Sequence, residues 1–143
     1  MRTPILIVAV VLNVAFFQKD TPLTVNQILL TPKDYNGKKV TVKGYYVADF
    51  ENSSLWGSKK MSESNEFEQS IWIGGTHKSA NLRNLKGEEV EFGYFRNRYI
   101  EVTGRLKSER DTVGTWVFGH GHMNLWPAEI SEIEKVKELS APH

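Results

Sequence analysis

The run Gly119-His120-Gly121-His122-Met123 holds the side chains best suited to ligate an ion. On extended backbone, residues i and i+2 face the same side. His120 and His122 can therefore present two imidazoles to one Zn²⁺ or Cu²⁺, with Met123, His77 or Glu109 completing the set. A plain connecting loop is the competing reading, because no second close ligand pair accompanies them. Trp56, Trp72, Trp116 and Trp126 supply flat apolar faces for stacking on a base, a sugar or a peptide. Trp56, Trp72 and Trp116 sit in apolar bursts, which favour core packing, whereas Trp126 precedes Pro127 in a connecting segment. Tyr94, Phe95 and Tyr99 interleave with Arg96 and Arg98, a mixture that either follows a single nucleic-acid strand or solvates a strand end. Glu129, Glu132, Glu134 and Glu138 read as a charged strand edge that discourages pairing with other chains.

Catalysis needs a nucleophile beside a base, or paired carboxylates in a cleft, and no such pattern is visible. There is no Gly-x-Ser-x-Gly and no His-Glu-x-x-His, and Gly74-Gly75 lacks the lysine and helix of a phosphate loop. Binding without catalysis and without a cofactor is the expectation. The absence of cysteine removes disulfides, thiolate nucleophiles, Cys-based metal sites and lipid-accepting residues. With 18 Lys and Arg against 17 Asp and Glu, the formal charge of +1 creates no general attraction for a polyanion.

These residues must be positioned by one core, since 143 residues leave room for one domain after a targeting segment. Met1-Arg2 followed by the apolar run Pro4 to Phe17 reads as an export signal or N-terminal anchor over 1–18. It is too short for a comfortable spanning helix, and Gln18-Lys19-Asp20 ends it. Residues 19–23 read as a linker, 24–138 as the domain and 139–143 as a tail. Within the domain, Thr24 offers an N-cap for a short helix carrying Val25, Ile28 and Leu29, stopped at Thr31-Pro32. Alternation predicts strands over Lys38–Val47 and Tyr99–Leu106, with Gly44 and Gly104 at bends or bulges. Leu55-Trp56-Gly57, Ile71-Trp72-Ile73, Trp116-Val117-Phe118 and Ala128–Val136 supply shorter strands. Ser58–Gln69 reads as an exposed loop, and Leu82 with Leu85 as one helical turn plugging the end of a barrel. The fold expected is mainly β: a five- to six-stranded Greek-key barrel with one or two short helices behind the signal-like segment.

Three stretches carry a family resemblance. They are Ile28-Leu29-Leu30-Thr31-Pro32-Lys33-Asp34-Tyr35-Asn36-Gly37-Lys38-Lys39-Val40-Thr41-Val42-Lys43-Gly44, Tyr99-Ile100-Glu101-Val102-Thr103-Gly104, and Gly121-His122-Met123-Asn124-Leu125-Trp126-Pro127-Ala128-Glu129-Ile130. Over about residues 24–136 the chain resembles small exported bacterial OB-fold proteins of the tRNA-anticodon-binding-like group. The resemblance implies an OB barrel and assigns no functional residue.

The functional expectation is an exported binding or interaction module of the cell envelope, periplasmic or secreted, with a protein, peptide or glycan ligand. Its surface would comprise Trp56, the Ser58–Gln69 loop, Trp72, Tyr94, Arg96 and Arg98. A single-stranded nucleic-acid-binding domain is one alternative, and a metal-binding envelope protein using His120 and His122 is another. Contact with a membrane would come only through an uncleaved N-terminal segment.

Overall fold

The computed structural model describes residues 21–113 and 116–143, and over 111–113 and 116–118 the backbone alone. The segment read as a signal or anchor lies outside the described residues. Among those described, no helix is long and apolar enough to cross a membrane.

Thr24 caps helix α1 (Val25–Leu30): its hydroxyl accepts from the Gln27 amide, and the Gln27 side chain accepts from the Thr24 amide. Val25 and Ile28, three apart and so on one face, are fully buried. A two-residue strand β1 (Leu23–Thr24) precedes it. The remaining strands are β2 (Lys39–Ala48), β3 (Ser53–Trp56), β4 (Ser70–Ile73), β5 (Thr76–Arg83), β6 (Arg98–Lys107), β7 (Asp111–Val113), β8 (Trp116–Phe118) and β9 (Glu129–Glu138). Seven strands join in one sheet, and β7 and β8 form a separate hairpin.

The pairings of the large sheet return to their start. Strand β2 pairs antiparallel with β3 and with β6, and β3 with β4. Strand β4 runs parallel to β9, which pairs antiparallel with β6. Side chains alternate across this closed circuit. Val40, Val42 and Tyr46 of β2, Ile100, Val102 and Leu106 of β6, and Ile130, Ile133 and Val136 of β9 are buried in one cluster. Leu55, Ile71 and Ile73 complete it from β3 and β4, with Val25 and Ile28 of α1 and Phe95.

Gly44 and Gly104 fall on the same alternation, in the series 40, 42, 44, 46 and 100, 102, 104, 106. A Cβ at Gly44 would lie 2.5 Å from the Trp56 carbonyl oxygen and 2.9 Å from Leu55 Cγ. At Gly104 it would lie 2.7 Å from the Ser131 carbonyl oxygen and 2.8 Å from Ile130 Cγ2. The β6–β9 register shifts between Thr103 and Arg105, so Gly104 sits at a bulge. Both glycines let neighbouring strands approach where the sheet coils.

Three sequence expectations change. Among the described residues nine strands form rather than five or six. The predicted helical turn at Leu82 and Leu85 is replaced by β5: Leu82 pairs with Val136, and Leu85 is exposed. Gly74-Gly75 separates β4 from β5, which both follow the same side of β9, with Ile73 opposite Ile130 and Thr76 opposite Ile133. Pairing with a neighbouring strand overrides the weak helical spacing of two leucines. The acidic series of β9 is no sheet edge, since β9 is paired on both sides. Glu134 meets Lys39 at 2.5 Å and Glu132 meets Arg105 at 2.7 Å, both pairs exposed.

Candidate binding surface

Because Leu55, Ile71 and Ile73 point inward, Ser54, Trp56, Ser70 and Trp72 occupy the outer face of β3 and β4. An outer face is ordinarily wet, yet Ser54, Trp56 and Ser70 are fully buried. Two segments cover them. The first is Ser58–Gln69, which contains helix α2 (Lys59–Ser62), capped by the Ser58 hydroxyl, and a 3₁₀ turn at Phe67–Gln69. Phe67 lies 6.3 Å from Trp56 and 4.9 Å from Trp126, ring centre to ring centre. The expected exposed loop is therefore a partly packed cover.

The second cover is Gly119–Pro127. Trp126 is 1% exposed, stands 4.7 Å from Trp72, and its indole N–H donates to Ser70 Oγ at 3.0 Å. Trp56 is satisfied in the same way, by Ser54 Oγ at 2.7 Å. Each buried indole thus has a hydroxyl acceptor, as burial of an N–H requires. His120 and Trp126 pair backbone to backbone and close the intervening residues into a loop. Gly121, Met123 and Asn124 adopt left-handed φ values of 70°, 56° and 58°. For methionine this is a strained choice, of the kind that concentrates at binding loops, whereas asparagine takes it readily. It leaves Met123 71% and Leu125 45% exposed.

His122 Nε2 lies 3.9 Å from Glu51 in the β2–β3 turn, and Phe50 of that turn is 98% exposed. Phe50 and Met123 each sit one residue from this contact. Two loops from distant parts of the chain thereby present bare apolar side chains together, with Asp49 and Glu51 beside them.

The predicted site residues do not form one surface. Trp56 has no exposed area with which to stack on a partner; it supports the sheet. Trp72 is half-buried beneath Gly121, where a Cβ would lie 2.5 Å from its ring. Tyr94 and Arg98 serve the fold. The Tyr94 hydroxyl donates to Glu138 at 2.8 Å, Arg98 donates to Glu138 at 3.1 Å, and the guanidinium lies 4.4 Å from the Tyr94 ring centre. The hydrogen bond to Glu138 holds the Tyr94 hydroxyl above its ordinary pKa. Arg96 stays exposed, and its charge partly offsets the burial that raises the pKa of Tyr46. Glu138, read as part of a charged strand edge, is the buried end of β9.

The two histidines part company. His120 is buried with Nδ1 at 3.5 Å from Glu129, and its buried Nε2 has no hydrogen-bond partner, whereas His122 faces Glu51. Among the described residues no group of three His, Cys, Asp or Glu could hold a metal ion. His77 bonds instead to Ser79. The Trp116 side chain lies outside the described residues.

Sequence reasoning missed Phe50, Phe67, the buried acceptor role of Glu138 and the His120–Glu129 pair. A phenylalanine inside Asp49-Phe50-Glu51-Asn52 was a usable signal, since a large apolar residue in a turn cluster has no local reason to be there.

No protein-family model matches this chain. No curated protein matches it either. Among solved structures it is similar to one described as an aspartyl-tRNA synthetase from Leishmania major Friedlin, with a TM-score of 0.44 and 9% identity. The match covers 92% of this chain and 23% of that one, and the architecture rests on this chain's own strand pairings.

Proposed function

We propose that this chain is an exported binding module on an OB-like Greek-key barrel, and that it recognises a protein or peptide segment rather than transforming a substrate. The closed five-strand circuit β2, β3, β4, β9, β6 supports the barrel. In OB barrels the face of the second and third strands and the loops after the first and fourth carry ligands. Here those loops are Asp49–Asn52 and the β6–β9 connection. The observation that carries the reading is that Phe50 on one loop and Met123 and Leu125 on the other are exposed, the two loops meeting at the Glu51–His122 contact. Its charged neighbours Asp49 and Glu51 repel a phosphate backbone, which favours a peptide over a nucleic acid.

Phe50→Ser combined with Met123→Ser is expected to weaken capture of the partner by about 1–3 kcal/mol at unchanged stability, because both side chains already face water. Binding by the double variant equal to wild type places the ligand elsewhere. Affinity of the parent that collapses between low and physiological salt would replace the peptide by a nucleic acid. Export is supported by Met1-Arg2 and the apolar run to Phe17. A reporter fused after Tyr35 is expected outside the cytoplasm, and a cytoplasmic reporter rejects that part of the proposal.

A further inference from the structure

Trp126 occupies its slot with few ties to the strands. Among the described residues, three polar contacts join Gly119–Pro127 to other parts of the chain. These are the indole bond to Ser70, the long His120–Glu129 contact and the longer His122–Glu51 contact. The backbone pairing of His120 with Trp126 is internal to the segment. The buried His120 Nε2 stays unpartnered beneath it. Burial of Trp126 holds the segment down, while the left-handed backbone of Met123 strains it. The interior core does not include Trp126.

We infer that Gly119–Trp126 is a displaceable strap, and that its indole holds the slot that a tryptophan or tyrosine of a basic peptide takes on binding. The slot states its occupant's chemistry. It accepts a ring tilted by 59° against Trp72 and by 52° against Phe67, with an N–H or O–H donor directed at Ser70 Oγ. Asp49, Glu51 and the partly buried Glu129 border the strap and its tip, and they complement lysine or arginine flanking the aromatic residue. The inference rests on the peptide-binding reading and adds the residue class recognised and its competition with Trp126. A ligand that needs the open form binds with an affinity reduced by the fraction open, so loosening the strap strengthens binding.

Two variants open the slot by different routes. Trp126→Ala removes the competitor. Gly121→Ala keeps it but adds a Cβ 2.5 Å from Trp72 and 2.7 Å from Trp126, at a φ of +70° that alanine resists. The probe is acetyl-Lys-Trp-Lys-Lys amide, with Leu replacing Trp as control, titrated by calorimetry against the full chain. Both variants are expected to bind the Trp peptide at least ~10-fold more tightly than wild type and to discriminate against the Leu peptide. Gly121→Ala should also raise acrylamide quenching of tryptophan fluorescence.

Folded variants that bind no better than wild type overturn the strap. So does equal binding of the Leu peptide, or failure of every form to bind the probe. Loss of folding in both variants overturns it too, because a displaceable strap is not needed by the core. If Phe50→Ser with Met123→Ser abolishes probe binding while Trp126→Ala leaves it unchanged, the binding module stands and the strap alone falls.

Discussion

Gly44→Ala and Gly104→Ala are each expected to lower the unfolding free energy by about 2–3 kcal/mol, the scale of overpacking a filled interior. Both added methyl groups meet a backbone carbonyl, at 2.5 Å and 2.7 Å, and rotating a side chain away does not relieve a clash with backbone. The strands would have to separate where β2 meets β3 and where β6 meets β9, breaking the circuit at two of its joints. Urea denaturation followed by circular dichroism reads the effect as a lower midpoint at unchanged slope. Gly75→Ala is the control: no atom lies within 4 Å of its Cβ position and its φ is not left-handed, so its stability should stay within about 0.5 kcal/mol of wild type. Midpoints for Gly44→Ala and Gly104→Ala that coincide with the control would show that neither strand is held as closely as described.

Glu138→Ala should cost about 2–4 kcal/mol, because it removes a buried acceptor serving three donors from separate parts of the chain. Glu138 is 5% exposed and accepts from the Tyr94 hydroxyl, the Leu85 amide and Arg98. Its loss removes the acceptor of the Leu85 amide and the Tyr94 hydroxyl, while Arg98, partly exposed, recovers solvation. Glu138→Gln retains one carbonyl acceptor and should lose less. Glu134→Ala, which breaks only the exposed pair with Lys39, should move the urea midpoint far less, because water screens such pairs. A Glu138→Ala protein as stable as Glu134→Ala would remove the argument that this carboxylate ties the 84–98 connection to the end of β9.

These expectations trace back to signals of unequal strength. The β2 and β6 strands were legible because Val40, Val42, Ile100 and Val102 alternate with polar residues, and period-2 alternation is a local property. Helix α1 was legible for the same reason: Thr24 and Pro32 punctuate it from both sides. Strand β5 was not, since Thr76–Arg83 is largely polar and exposed and becomes a strand through its contact with β9. The residue types at the candidate surface were partly visible, as His122, Met123 and Trp72 stood out from their spacing. Their grouping was not visible.

By itself the sequence determined a cysteine-free, charge-balanced, mainly β chain after an apolar N-terminal run, with two glycines marking its bent strands and no catalytic motif visible. Those properties follow from composition and from neighbours along the chain. Tertiary structure alone decided that Trp56 and Trp126 are buried outside the interior core, that His120 and His122 face different carboxylates, and that Phe50 stands beside the His122–Met123 turn. The physical reason is distance along the chain: Phe50 and Met123 belong to loops joined only by closure of the strand circuit, and Trp126 reaches Ser70 across 56 residues. No local pattern encodes which distant segment covers an outer sheet face, because that is settled by the packing of whole side chains against each other.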